Sequence, residues 1–462
     1  MTVKKMIVKV RLKDNGSFKI DDEEILSSQE LKSGDKSRII EALTHLSSEN
    51  VLNLMRKNER ELFLFTNEDK IDKSNVFDMY CQNGTNWQIQ TGNLAGFIAY
   101  KYGDVELQID ISSRFSNKKN DYFLNYLLAK VFSLNVADCL HSDANEKLFD
   151  YLVLLFPHYL NRALSKGVYR RYERFEFNDS NLKGSVNIPR FIKQDIPFIG
   201  KVAYDKREYT GDNHLTQLVR HVIEFIKSGK YRSFLSYGET REEVRRIIEL
   251  TPSYSKSRRE LIIGKNSKPV RHPYYSEWTD LQRLSLAILR KKRLSYGDSD
   301  SRKIHGVLFD ISWLWEEYLN TLLRSEEFKH PRNKSKEGKI TLFTEGGGER
   351  YPDFYKKNLV LDAKYKRFEK YDSLSSIGRD DIHQMISYMH CLSKGDSMNG
   401  VFLYPVEKED KKNIPKKTLK GYGGSIRAEG FVIPQNSKDF NSFIRDMETN
   451  SKDFIDRVLD RV

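Results

Sequence analysis

At 462 residues, with 78 Lys and Arg against 65 Asp and Glu, the chain carries a net charge of +13 and a pI near 9.2. That length exceeds one ordinary core and predicts two or three domains, and the basic excess suits a polyanionic partner, because neutralising phosphates releases counterions. No run approaches the ~18 apolar residues of a membrane-spanning helix. The N-terminus lacks a signal peptide's apolar core. Three scattered cysteines (Cys81, Cys139, Cys391) without a CxxC spacing argue against a disulfide framework or structural zinc and fit a reducing cytoplasm.

The first 90 residues open on an alternating strand pattern from Met1 to Val10, then a charged helical stretch from Lys36 to Arg56 and a strand from Glu61 to Thr66. Thr91 to Tyr100 and Val105 to Ile111 flank Tyr102-Gly103-Asp104 and predict a hairpin, and Asp121 stands at the start of a helix. Leu148 to Leu164 reads as a buried helix that Pro157 should kink or split. Gly167 to Arg174 and Leu182 to Arg190 interleave basic and aromatic residues, which suits either a phosphate backbone or a strand edge guarded by charge. A helix from Asp212 to Lys227 and a polar loop from Ser253 to Pro269 follow. The basic run Arg290-Lys291-Lys292-Arg293 precedes the best linker, Ser295 to Ser301, which sets a domain boundary near residue 300.

Past it, Phe309 to Leu323 predicts an amphipathic helix whose Trp313, Leu314, Trp315 and Tyr318 supply bulk while Glu316 and Glu317 are charged. Ile340 to Phe343 reads as a strand. Tyr351 to Lys366 reads as a hairpin around the polar turn Lys356-Lys357-Asn358. Side chains alternate along a strand, so Asp362 and Lys364 share a face. If the facing strand brings Asp353 to the same edge, two carboxylates and a lysine converge, at a cost that a bound cation relieves. Oxygen donors without nearby Cys or His select Mg²⁺ or Mn²⁺.

Asp380 to Leu392 predicts a helix with Gln384 and Tyr388 on one face. Val401 to Pro405 and Gly430 to Pro434 are buried-strand candidates; Lys408 to Lys420, with Lys411, Lys412, Lys416 and Lys417, reads as a solvated loop; Lys438 to Val462 reads as an amphipathic helix. No stretch carries the GxxxxGK[ST] pattern of a phosphate-binding loop.

The order of elements after residue 309, with Pro352-Asp353 and Asp362-Ala363-Lys364 as its two halves, resembles the PD-(D/E)xK nuclease superfamily. Gln384-x-x-x-Tyr388 resembles the helix motif of its RecB-like branch, and Leu314-Trp315-Glu316-Glu317-Tyr318 the upstream glutamate helix. Phrases at Gly92 to Gly96, Phe123 to Leu128, Leu182 to Gly184 and Gly211-Asp212-Asn213 resemble the McrC family, the nuclease subunits of 5-methylcytosine-dependent restriction systems of the McrBC and LlaJI types. The resemblance runs from about residue 90 to 410. It departs from the family at Ser113-Arg114-Phe115, where Pro-Lys-Phe is frequent, and at Lys183-Gly184, where Arg-Gly is usual.

The resemblance implies an α/β C-terminal PD-(D/E)xK nuclease domain at 301–462, a mixed sheet flanked by helices, preceded by an α+β region at 91–300 for partner docking or DNA contact and a further α+β region at 1–90 without assigned role. It implies hydrolysis of DNA phosphodiesters, with Asp353, Asp362, the Ala363 carbonyl and Glu316 holding Mg²⁺, or Mn²⁺ as its substitute. Lys364 would act on the attacking water and on the developing charge, and Gln384 and Tyr388 would position the lysine strand or a DNA phosphate. It also implies modified, methylated DNA as substrate and a separate McrB-like AAA+ GTPase as partner. A stand-alone repair nuclease and a non-catalytic regulator of an NTPase are the competing readings.

Overall fold

Alternation of buried and exposed residues along Met6–Lys13, with Val8, Val10 and Leu12 turned inward, makes this stretch a strand with one apolar face. The computed structural model describes residues 6–22, 25–27, 35–57, 62–66, 75–84, 86–117, 120–132, 144–236, 238–294, 304–331, 338–366, 377–393, 395–408, 410, 413–421 and 423–460. The expected linker at Ser295 to Ser301, and Cys139, Lys411 and Lys412, lie outside the described residues.

Up to residue 132 the elements are β1 (Met6–Lys13), β2 (Ser17–Lys19), β3 (Leu26–Ser27), α1 (Asp35–Ser47), α2 (Val51–Lys57), β4 (Leu62–Phe65), β5 (Phe77–Gln82), β6 (Asn86–Thr91), β7 (Leu94–Tyr102), β8 (Val105–Ser112) and α3 (Tyr122–Val131). Next come α4 (Ala144–Ser165), β9 (Arg171–Asp179), β10 (Ser185–Val186), α5 (Ile188–Gln194), β11 (Val202–Thr210), α6 (His214–Lys227), α7 (Gly238–Leu250), α8 (Arg259–Lys265) and α9 (Ser276–Leu294). The last part holds β12 (Ile304–Asp310), α10 (Ile311–Leu323), β13 (Phe354–Lys356), β14 (Leu359–Ala363), α11 (Arg379–Ser393), β15 (Asn399–Val406), β16 (Asn413–Thr418), β17 (Ser425–Val432) and α12 (Phe440–Val458).

The chain divides into two compact units, Met1–Leu148 with Asp300–Val462, and Phe149–Ser299. The segments 1–90 and 301–462 thus belong to one unit. The reason is β12, which lies between β7 and β4 in a six-stranded sheet of order β3-β1-β8-β7-β12-β4. It pairs antiparallel with β7 and parallel with β4. Gly96 lets β7 approach this closely: it takes φ +132°, and a Cβ there would collide with the Val307 carbonyl. Ile39, Leu43 and Leu46 of α1 share the core of this sheet with Val8, Val10, Ile98 and Leu308. The helix expected from Phe309 therefore starts later. Phe309 lies within β12, and Asp310, its last residue, caps α10 by accepting from the N–H groups of Ser312 and Trp313.

The same unit contains a five-stranded mixed sheet, order β13-β14-β15-β17-β16, with β14, β15 and β17 parallel and the two edges antiparallel. Helices cover both faces, as parallel strands require. Val360, Phe402 and Tyr404 pack with Met385, Tyr388 and Met389 of α11. On the opposite face, Phe431 meets Trp315 and Tyr318 of α10 and Phe454 of α12. The lysine-rich stretch expected as a loop contains the edge strand β16, whose exposed charges suit a sheet margin. Ile340 to Phe343 is not a strand but a single bridge, Ile340 to Arg350, closed by turns in which Gly346, Gly347 and Gly348 all have positive φ.

In the second unit α4 runs unbroken through Pro157, which does not split it. β9 and β11 pair along their whole lengths, with β10 at one edge. Asn213 caps α6 with a reciprocal bond to Thr216. The expected loop from Ser253 to Pro269 includes α8, whose Ile262 and Ile263 are buried.

Candidate active site

Lys356 pairs with Leu359, so the turn between β13 and β14 is two residues long rather than three. Asn358 takes φ +62°, a left-handed value that asparagine tolerates. Because Phe354 stands opposite Leu361, continuing that register sets Asp353 opposite Asp362. Asp353 Oδ2 accepts the Ala363 N–H at 2.7 Å. The two carboxylates are thus held at one end of the hairpin by main-chain geometry.

Asp362 lies on the face of β14 that turns to α11, and it is only 3% exposed. Lys364 Nζ stands 2.6 Å from Asp362 Oδ2. This ion pair lies inside the buried site, where little water competes with it. Burial, and then the charge of Asp353, push the Asp362 carboxyl up to about 7 against the pull of Lys364. Burial alone would lower Lys364, but Asp362, Asp353 and Asp381 outweigh it and raise the ammonium, which stays protonated.

Gln384 and Tyr388 meet this cluster as their helical spacing requires. Lys364 Nζ donates to Gln384 Oε1 at 3.4 Å, Gln384 Nε2 donates to the Tyr388 hydroxyl at 2.7 Å, and that hydroxyl donates to the Tyr351 carbonyl at 3.3 Å. Glu316 joins less directly. His330 Nδ1 donates to the Asp353 carbonyl at 2.7 Å, and its Nε2 faces Glu317 Oε1 at 3.9 Å. Burial lowers His330, but Glu317, the Asp353 carbonyl and Glu316 raise it overall. The structure therefore brings together Asp353, Asp362, Ala363, Lys364, Gln384 and Tyr388 and sets His330 between the Asp353 carbonyl and Glu317, while Glu316 bears on His330 through its charge.

Three participants escaped the sequence reading: His330, Lys366 and Asp381. Asp381 Oδ1 lies 3.3 Å from Lys364 Nζ, and its other oxygen pairs with Lys366. The signal was present, since Asp381 precedes Gln384 by one helical turn and Lys366 continues the alternation of Asp362 and Lys364.

Among the described residues no group of three or more His, Cys, Asp or Glu side chains forms a metal cage. The oxygen donors held together at this end of the hairpin are the Asp353 and Asp362 carboxylates, Asp362 being buried. An open, all-oxygen set fits a hard divalent cation that keeps water and substrate oxygens among its ligands. Among the described residues no helix is long and apolar enough to cross a membrane.

A family profile described as McrBC 5-methylcytosine restriction system component matches residues 89–405. Among solved structures, the chain is similar to a refined half-complex from a tetradecameric assembly of Thermococcus gammatolerans McrB AAA+ hexamers with bound McrC. That match has 16% identity and a TM-score of 0.46, covering 96% of this chain and 99% of that one. It is also similar to a cryo-electron microscopy structure of the McrBC complex from the same organism, with 15% identity and a TM-score of 0.31 over 68% of this chain and 87% of that one. No curated protein matches the chain.

Proposed function

We propose that this chain, which belongs to the family of McrBC 5-methylcytosine restriction system components, is the nuclease subunit of such a system and hydrolyses phosphodiester bonds of modified DNA. The observation that supports this reading is the convergence of Asp353, Asp362 and Lys364 with the Gln384 and Tyr388 relay at one end of a mixed sheet, which is what a PD-(D/E)xK site would require. Asp353 and Asp362, with the Ala363 carbonyl and Glu316, would hold Mg²⁺ or Mn²⁺. When bound, such an ion acidifies water and offsets phosphoryl charge.

The chain's own groups supply the rest. Lys364 is kept cationic by its carboxylate neighbours, so it stabilises the charge that builds on the non-bridging oxygens and orients the attacking water rather than deprotonating it. Gln384, itself held by Tyr388, fixes the direction of that ammonium. Hydrogen bonding of Asp353 to Ala363 keeps the two carboxylates from parting.

The partner in this reading is a separate AAA+ GTPase. Its docking surface is the edge of the second unit around α5, a helix with no buried residue. Ile188, Ile192, Ile196, Phe198 and Ile199 there are between 58% and 67% exposed. Such a run of solvated apolar groups marks a surface made to be covered. The decisive experiment combines the full chain with its AAA+ partner, GTP and Mg²⁺ on plasmids with and without 5-methylcytosine. Cleavage of the methylated plasmid that disappears with Asp362→Ala supports the assignment; undiminished cleavage by Asp362→Ala overturns it. Cleavage by the chain alone, without nucleotide, would favour a stand-alone nuclease.

A further inference from the structure

We propose that Asp381 is a positioning residue for Lys364, holding the ammonium in place from α11 while Asp362 serves as cation ligand; this rests on the nuclease reading above. Lysine carries a long flexible stem, and one partner does not fix it. Lys364 has anchors on two elements: Asp362 on its own strand at 2.6 Å, and Asp381 and Gln384 on α11 at 3.3 and 3.4 Å. Asp362 is the weaker choice as permanent anchor. A divalent cation on its carboxylate would share the charge that holds Lys364 and repel the ammonium directly. Asp381 reaches the same ammonium from a different element, α11.

The surroundings are shaped for that role. The second oxygen of Asp381 pairs with Lys366, so the carboxylate is fixed at both ends and bridges two lysines of the segment that follows β14. Gly378, just before α11, leaves the room that this requires. A Cβ at that position would press on Asp381 Oδ2 at 3.1 Å and stand 3.9 Å from Lys366 Nζ. Side-chain exposure of 16% for Lys364 and 15% for Asp381 keeps the pair largely out of water, where an ion pair retains directional strength.

The test uses the full chain with its AAA+ partner for turnover, and the chain alone for unfolding. Asp381→Asn is expected to lower kcat by about 10- to 100-fold with KM for DNA and calorimetric Mn²⁺ affinity unchanged, and Asp381→Glu to recover most of the loss. Gly378→Ala should give a smaller loss of the same kind. A thermal-unfolding cycle of Lys364→Met, Asp381→Asn and the double variant, in EDTA, should show non-additive shifts in Tm. Wild-type turnover by Asp381→Asn, a loss confined to KM, or strictly additive Tm shifts would each overturn the proposal. If the wild-type complex cuts no DNA the nuclease reading fails instead, and the unfolding cycle still decides whether Asp381 holds Lys364.

Discussion

Asp353 is bonded to the backbone of the strand that carries Asp362: its Oδ2 accepts the Ala363 N–H at 2.7 Å. One side chain therefore has two separable duties, as hydrogen-bond acceptor and as charge. Asp353→Asn keeps an acceptor and should leave the unfolding midpoint near wild type while abolishing cleavage. Asp353→Ala loses both and should also lower stability by about 1 kcal/mol. Urea unfolding and plasmid cleavage of the two variants separate the duties; equal stability of both would show that the hydrogen bond carries nothing.

Asp362 links cation affinity to stability. Its folded carboxyl, pushed up to about 7 by burial and then by Asp353, prefers a proton. A raised pKa gives stability that is full below the unfolded value and is lost as pH rises through the folded one. In EDTA, Asp362→Asn should melt above wild type at pH 8, by a margin that shrinks as the pH falls through the folded value of about 7 and vanishes below the unfolded carboxylate range. Adding Mn²⁺ at pH 8 should raise the wild-type Tm by binding linkage and leave the variant unmoved.

The second unit should weaken in acid for the opposite reason. Burial, followed by Arg162, lowers His158 to about 4, and burial, followed by Arg171 and Lys265, does the same to His214. Arg171 Nη1 donates to His214 Nε2 at 3.1 Å, which requires a neutral ring nitrogen there. Unfolded imidazoles titrate near ~6.5, so the unfolded chain binds the extra protons in between. Stability from these groups is present above that value and is lost as pH falls toward the folded pKa. Urea denaturation of the chain in which Trp87, Trp313 and Trp315 are replaced by Phe, followed by the fluorescence of Trp278, should show the decline between pH 7 and 4.5, and His214→Gln should flatten it.

Two glycines from one conspicuous phrase should behave differently. Gly96→Ala meets both a backbone clash with the Val307 carbonyl and a positive φ, and should cost on the order of 3 kcal/mol or more. Nothing lies within 4 Å of a Cβ at Gly92, whose φ is not positive, so Gly92→Ala should be nearly neutral. Thermal melts of both variants check this.

What was legible followed local rules. The β13 and β14 hairpin, the Asp121 cap, α6, α11, α12 and the strands around Val401 and Gly430 all declared themselves through period, turn residues or caps. The Asp362 and Lys364 pair was visible because a strand puts alternate residues on one side. His330 was not, because its place beside Asp353 depends on a stacking contact with Phe354, 24 residues away, at 4.7 Å between ring centroids. β12 was hidden in the same way. Ile304 to Phe309 is a short apolar run next to a helix, and only its distant partners β7 and β4 make it a strand.

That strand has a consequence for how the molecule comes into being. Strands β4 and β7 leave the ribosome more than 190 residues before the one that joins them. Until β12 arrives, both present open edges, so the six-stranded sheet closes only after the second unit has been synthesised, a late and highly non-local step. A chain cut near residue 300 would leave those edges bare. Separating the first 300 residues from the carboxylate site, the obvious dissection from the linker alone, should yield an aggregating fragment.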